Sequence, residues 1–230
     1  MKTRLISMSL YGEDPTYLEG AVINARLLPD IYPGWKLRVY CERGIDTGKL
    51  VEFGSEVVRM PRSRRHAGMF WRFLPAWEMG VEFVIFRDAD SRLNVREAAA
   101  VEEWVQSSRI AHCMHDHPHH VCMPIMGGMW GIRAGHLPPE LLAMLRKRMG
   151  LPQHRVEDMK WLRDHVYPLI RFSVLRHTFE RLERWGGVPF PEHPPFEGFV
   201  GEKIDVCCGA EVPSRKVQPT SQKSSAPRTS

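Results

Sequence analysis

The chain has 230 residues, enough for one α/β domain with a sizeable core. Its net charge of +5 is mostly a tail property: Glu211–Ser230 holds four Lys/Arg against one acid, giving +3 there and leaving +2 for the body, a poor basis for binding nucleic acid. Five cysteines without a paired framework fit a reducing compartment, and no signal-peptide segment or membrane-length apolar run is seen, so a soluble cytoplasmic protein is expected, with no membrane span and at most peripheral membrane association.

Arg4–Leu10 reads as the first strand. Asp14 and Pro15 supply an N-cap and a first helical position. Leu18, Ala21, Val22, Ala25 and Leu28 then recur at helical spacing, which predicts a helix over Pro15–Leu28, stopped by Pro29 and Pro33-Gly34. Lys36–Cys41 and Glu56–Met60 read as the second and third strands, and this β-α-β-β order suits a nucleotide-binding half. Pro61–His66 is a short basic run, either a solvated loop or a diphosphate contact through Arg62, Arg64 or Arg65. Gly68–Met79 reads as a helix despite Pro75. Its aromatics belong to the core, whereas Arg72 among them must find a partner, because an unpaired buried charge is costly.

The most informative stretch is Val81–Ser91. Val81–Phe86 is apolar except for Glu82, as in a strand buried on both faces of a sheet. The run ends in Arg87-Asp88-Ala89-Asp90-Ser91, so two carboxylates stand at the carboxyl end of a central strand, where open α/β sheets bind ligands. Residues at i and i+2 of an extended chain share a side, so Asp88 and Asp90 can converge. Paired oxygen ligands without a thiolate suit Mg²⁺ or Mn²⁺ shared with substrate phosphates. Arg87 needs a phosphate or acidic partner for the same reason as Arg72.

Asn94 to Glu97 has capping-box spacing ahead of a helix over Val95–Gln106. Arg109–Met114 reads as a strand. His115-Asp116-His117-Pro118-His119-His120 follows, with His112 just upstream. Pro118 and the unpaired Cys113 and Cys122 favour a substrate loop over a zinc site, with His115 or Asp116 touching donor or acceptor sugar. Pro124–Arg133 contains Gly127-Gly128-Met129-Trp130-Gly131. Glycines there allow close backbone approach, which suggests a wall against a sugar, a bulged edge strand being the alternative. Glu140–Arg148 and Val156–Val166 read as helices, the second opening on Glu157-Asp158. Ser173–Phe179 reads as a strand with His177. Pro189–Gly201 reads as an ordered covering loop, and the chain from Pro213 has the composition of a disordered tail. The domain is placed at residues 1–210 and the tail at 211–230.

Taken together, Phe86–Ser91 (FRDADS), Gly68–Phe73 (GMFWRF), Met126–Gly131 (MGGMWG) and the late acidic helix resemble GT-A-type nucleotide-sugar glycosyltransferases, over roughly residues 3–205. The resemblance implies a GT-A-like, Rossmann-like single domain with a mostly parallel sheet. It implies metal-dependent transfer of a sugar from a nucleotide diphosphate sugar to an acceptor hydroxyl in surface polysaccharide or glycan synthesis. By the same resemblance, Ser9 and Tyr11 hold base and ribose, Arg72 and Arg87 serve the donor side with Asp88, Asp158 is the general base, and Asp116 is the second catalytic candidate. A late histidine acts as third metal ligand, His177 first and His193 second. Related domains carry Asp-Gln where this chain has Asp158-Met159. Two other readings stay open: a haloacid-dehalogenase-type phosphohydrolase, whose motif wants Thr or Val where Arg92 stands, and a non-catalytic nucleotide-sugar binding module.

Overall fold

Val81–Phe86 has no polar side chain to expose except Glu82, and it forms the interior of the sheet. The strand β4 (Val81–Arg87) pairs in parallel with β1 (Thr3–Leu10) and antiparallel with β6 (Met129–Arg133). The computed structural model describes residues 2–179, 185–191 and 198–204; the tail assigned to 211–230 and His193 lie outside the described residues. With β2 (Lys36–Glu42), β3 (Glu56–Met60), β5 (Ala111–His115), β7 (Val174–Thr178) and the short β8 (Val188–Pro189), the eight strands run in the order β3-β2-β1-β4-β6-β5-β7-β8. Among the described residues only β6 runs against its neighbours, so the sheet is mostly parallel, as expected. From β1 the chain steps outward to β2 and β3, then returns to place β4 on the other side of β1. That reversal opens a crevice at the carboxyl ends of β1 and β4.

Period-two alternation splits the core into two layers. Leu5, Val84 and Phe86 face a layer built with a 3₁₀ helix (His66–Trp77), Trp130 and Trp161. Ile6, Met8, Leu10, Phe83 and Ile85 face the other, closed by α1 (Pro15–Ile31) and α3 (Val95–Gln106), with α2 (Gly48–Glu52) beside α1. The first layer is aromatic: Phe86 and Trp130 centroids are 4.4 Å apart and Phe73 and Phe86 5.2 Å. Burying each such ring contributes roughly 1.5–3 kcal/mol. The same layer is completed by α4 (Pro139–Met149), α5 (Glu157–Trp161) and α6 (Tyr167–Ile170), with one π turn at Leu162–Val166. The helix expected over Val156–Val166 is thus α-helical for five residues and then widens.

Two further local expectations are modified. Pro29 does not stop α1, because in the last turn it removes a single hydrogen bond while Tyr32 N–H still donates to Leu28 O at 2.8 Å. The capping box is half made: Glu97 N–H donates to the Asn94 side chain at 3.0 Å, but the Glu97 carboxylate turns inward. It meets Arg87 at 2.5 Å, both side chains being fully buried, and accepts a hydrogen bond from Tyr32 Oη at 3.2 Å. Period two explains the pairing. Arg87 follows Phe83 and Ile85 onto the α1/α3 face of β4, away from the aromatic layer. Removing one member of a buried ion pair strands the other. Arg87→Ala is therefore expected to lower unfolding free energy by about 3 kcal/mol or more, read from urea denaturation.

Candidate functional site

The site is assembled on β1. Its serines alternate with Met8 and Leu10, so both hydroxyls face the 3₁₀ helix. Ser7 Oγ donates to Arg72 O at 2.7 Å, and Arg72 N–H donates to Ser9 Oγ at 3.0 Å. This clamp fixes the backbone of Arg72, whose guanidinium forks between two carboxylates. One arm reaches Asp88 Oδ1 and the other Asp158 Oδ2, the latter at 2.7 Å. Arg72 and Asp158 are each 5% exposed, whereas the Asp88 side chain is about half open to solvent (47%).

The loops carrying these groups are locked from behind. A Cβ at Gly128 would overlap the Asp88 carboxylate, and one at Gly127 would overlap the Asp158 carboxylate and lie 2.8 Å from Arg72 Nη2. Glycine at both positions lets the backbone come against the carboxylates. Arg87, from the far face of β4, donates to Gly128 O at 2.8 Å and so ties the glycine loop to the strand that ends in Asp88. On the α1 side, a Cβ at Gly20 would overlap Ala89 O. One turn later Asn24, fully buried, donates to Ser91 O at 2.8 Å and accepts from Leu93 N–H at 3.0 Å. Small and amide side chains at i and i+4 thus let α1 hold the Asp88–Leu93 turn.

Around this centre lies an open pocket of about 510 Å³. Its lining includes Tyr11, Asp14 and Tyr17, the Asp88 and Asp90 pair, and Arg65, His66, Arg155, Val156 and Asp158. Arg65 (φ 53°) and Val156 (φ 64°) are the only non-glycine residues with positive φ among the described residues, and both line this pocket. Such strain concentrates at functional sites. A strap over residues 198–204 adds Gly201 and Lys203. It is held where Val200 N–H donates to Asp116 Oδ2 at 3.0 Å, where Ile204 N–H donates to Asp90 O at 2.9 Å, and where Phe199 stacks on His117 at 4.3 Å.

The electrostatics follow from crowding and burial. Burial, then the neighbouring Asp88, pushes the Asp90 carboxyl up to about 6. Burial also raises Asp158, with Arg72 acting against it. For Arg72 burial opposes the charge, yet Asp88 and Asp158 hold its pKa above the ordinary arginine value. Burial pushes Tyr11 up to about 12, so its hydroxyl stays protonated.

The pocket therefore gathers Ser9, Tyr11, Arg72, Asp88, Asp90 and Asp158 from the residues singled out in the sequence. It does not gather the others. Arg87 is sealed behind the sheet with Glu97. Gly127 and Gly128 abut the carboxylates rather than the open space of the pocket. Trp130, 1% exposed, sits on the interior strand β6 in the aromatic core, because β6 is neither a bulged edge nor a ligand wall. Asp116 is committed to Arg96 through two hydrogen bonds of 3.0 and 2.8 Å and anchors the strap. His115 is buried against Met123 O. His177 is not brought to Asp88 and Asp90, since β7 lies three strand spacings, about 14 Å, from β4. It joins His112 at 2.8 Å and Glu103 at 2.7 Å instead. Among the described residues no group of three or more His, Cys, Asp or Glu is disposed to hold a metal ion. Sequence reasoning passed over Ser7, Gly20, Asn24 and Glu97. A buried Asn and Glu inside helices were the available signal, since such groups persist only when bonded.

No protein-family model matches the chain, and no curated protein matches it. Solved structures do. Glucosyl-3-phosphoglycerate synthase from Mycobacterium tuberculosis, in complex with Mn²⁺, UDP and glucosyl-3-phosphoglycerate, superposes with a TM-score of 0.51 at 15% identity over 84% of this chain and 73% of that one. A glycosyltransferase involved in glycosylation of the major capsid of PBCV-1 gives 0.49 at 16% identity over 78% and 84%. A 4-diphosphocytidyl-2C-methyl-D-erythritol synthase from Anaerococcus prevotii gives 0.46 at 11% over 78% and 90%. At these identities the likeness is one of fold: the chain has a GT-A-like, Rossmann-type α/β architecture. Among the described residues no helix is long and apolar enough to cross a membrane.

Two outcomes follow from the packing and the charges. Gly128→Ala cannot be absorbed by a rotamer change, since the overlap includes the Asp88 backbone nitrogen at 2.8 Å. It is expected to cost about 1–3 kcal/mol in thermal or urea unfolding. For Asp90, a pKa raised in the folded state means that the folded chain binds more protons than the unfolded chain between about pH 4 and 6. Its contribution to stability falls as pH rises through that window. In chelator, Asp90→Asn should therefore be more stable than wild type at pH 7, with the gap closing towards pH 4, as read from melting temperature.

Proposed function

We propose that this protein transfers a sugar from a nucleotide diphosphate sugar to an acceptor hydroxyl, in glycan or surface polysaccharide synthesis, with Mn²⁺ or Mg²⁺ as cofactor. The observation that carries the reading is the convergence, at the switch point of the sheet, of an Asp88/Asp90 pair with Arg72 and a buried Asp158. Two neighbouring carboxylates, Asp90 being raised first by burial and then by Asp88, call for a cation. Their hard oxygens fit Mg²⁺ or Mn²⁺, ions that complete their shells with water and substrate phosphates, so two protein ligands suffice. The fold neighbours that hold Mn²⁺ with UDP or UDP-glucose support the same reading. When bound, the ion supplies Lewis-acid neutralisation of the diphosphate leaving group.

The chain's own residues do the rest. Tyr11 and Tyr17 offer aromatic faces and hydroxyls to the nucleoside, beside Ser9. Arg72, whose charge burial cannot remove, stabilises negative charge as it develops on the departing diphosphate. Asp158 accepts the proton of the acceptor hydroxyl as that oxygen bonds to the anomeric carbon and the diphosphate leaves with the bonding pair. Burial raises its pKa, with Arg72 acting against it, and a raised pKa makes the carboxylate a stronger base.

Two substitutions divide the mechanism. Asp90→Asn removes one charge at nearly constant shape. Calorimetric titration of UDP, GDP, dTDP or CDP with Mn²⁺ should show binding to wild type, abolished by chelator and severely weakened in the variant. Metal-independent binding that the variant retains would sink the reading. Asp158→Asn should lower kcat by about 10²–10⁴ with a much smaller change in nucleotide affinity, because proton acceptance is lost while the amide oxygen can still accept from Arg72 and Asp88 still pairs with it. Tight, metal-dependent nucleotide binding with no turnover on any acceptor would instead mark a binding module.

A further inference from the structure

We infer that the rim of the pocket is a docking surface for an anionic lipid bilayer. Two segments remote in sequence form this rim. Arg64 Nη1 donates to Gly150 O at 3.5 Å, and Arg65 forms a parallel backbone bridge with Gln153. The loop before the 3₁₀ helix and the α4–α5 connection therefore make one continuous surface. It carries Arg64 and Arg65 from the first segment, and Lys147, Arg148 and Arg155 from the second, all exposed. Residues 61–66 and 146–156 contain no Asp or Glu. Arg62 is left out because it points to Glu42 at 4.0 Å, and the nearby Glu157 is engaged with Lys160 at 2.7 Å.

Charge alone would fit any polyanion. Aliphatic side chains exposed within the same surface narrow the choice: Met144 is 39% exposed, Leu151 45% and Val156 44%. Met144 and Arg148 are one helical turn apart and share a face of α4. A soluble polyanion has no apolar layer to receive such groups, whereas a bilayer offers anionic headgroups over an acyl boundary. Arg65, Arg155 and Val156 belong both to this surface and to the pocket wall, so docking would turn the pocket mouth towards the bilayer and to an acceptor anchored in it. The inference concerns the surface and stands whether or not the pocket transfers a sugar.

The test is co-sedimentation of the full chain with vesicles of phosphatidylcholine alone, or of phosphatidylcholine with about one-third phosphatidylglycerol, at low and high salt. Binding is expected only to the anionic vesicles and should weaken with salt. Lys147→Glu with Arg148→Glu, outside the pocket lining, should reduce partitioning at least about tenfold, while Lys49→Glu, an exposed base on α2, leaves it unchanged. Leu151→Ser should reduce vesicle partitioning about threefold without altering retention on heparin. The basic residues after Ile204 are common to every protein compared. Wild type that ignores anionic vesicles, or a double variant that binds them like wild type, overturns the inference. So does a Leu151→Ser protein unchanged on vesicles, which would make the surface a site for soluble polyanions.

Discussion

The arrangement depends on one guanidinium. Arg72 joins a carboxylate at the end of β4, 16 residues on along the chain, to a carboxylate at the start of α5, 86 residues on. Without it, Asp88, Asp90 and Asp158 would crowd one another with no internal charge to balance them. With it, the largely buried Asp158 keeps a charged partner, and Asp88 is left half open to the pocket. The position of the guanidinium is set in turn by two serines on β1, which grip its backbone rather than its side chain. Sheet geometry, through the alternation of Ser7 and Ser9 with Met8 and Leu10, is thereby converted into the position of a charge.

A second arginine works from the opposite face of the same strand. Arg87 and Glu97 form a dry ion pair that holds the glycine loop through Gly128 O and reaches α1 through Tyr32. The turn carrying Asp88 and Asp90 is consequently pinned twice from the α1/α3 face, by Asn24 on α1 and by Arg87 on β4. Loops of this kind are usually mobile. Here the polar groups that would free them are spent on fixed partners, which favours preorganised charge over charge that must be gathered on binding.

Much of this was legible in the residues and part of it was not, for reasons that can be named. The apolar run ending at Asp88 identified the interior strand because burial on both faces leaves no room for alternation. Arg72 announced a partner because a charge among aromatics must have one. Arg87 invited the same argument, but only the sheet tells which face is the pocket, and it points to the other. The glycines at 127 and 128 correctly signalled close approach. What approaches is the protein's own carboxylates. His177 could not be placed from sequence, since nothing in the chain says that an antiparallel β6 and then β5 would intervene between β7 and β4. Asp116 stood in a histidine-rich loop that drew attention to ligands, while its partner Arg96 lay twenty residues upstream on a helix face.

The strap has a consequence for how the protein comes into being. The four strands β3-β2-β1-β4 and the turn bearing Asp88 and Asp90 are all contained in the first 90 residues, so the floor of the pocket can form early as the chain leaves the ribosome. Asp158 arrives later, and the strap, which closes on Asp116 and on the backbone of Asp90 itself, arrives after residue 198. During synthesis the acidic floor therefore stands open to solvent and cations before its cover exists. The acidic floor and its cover are thus made in a fixed order, the carboxylates at the end of β4 first and the strap that closes on them last.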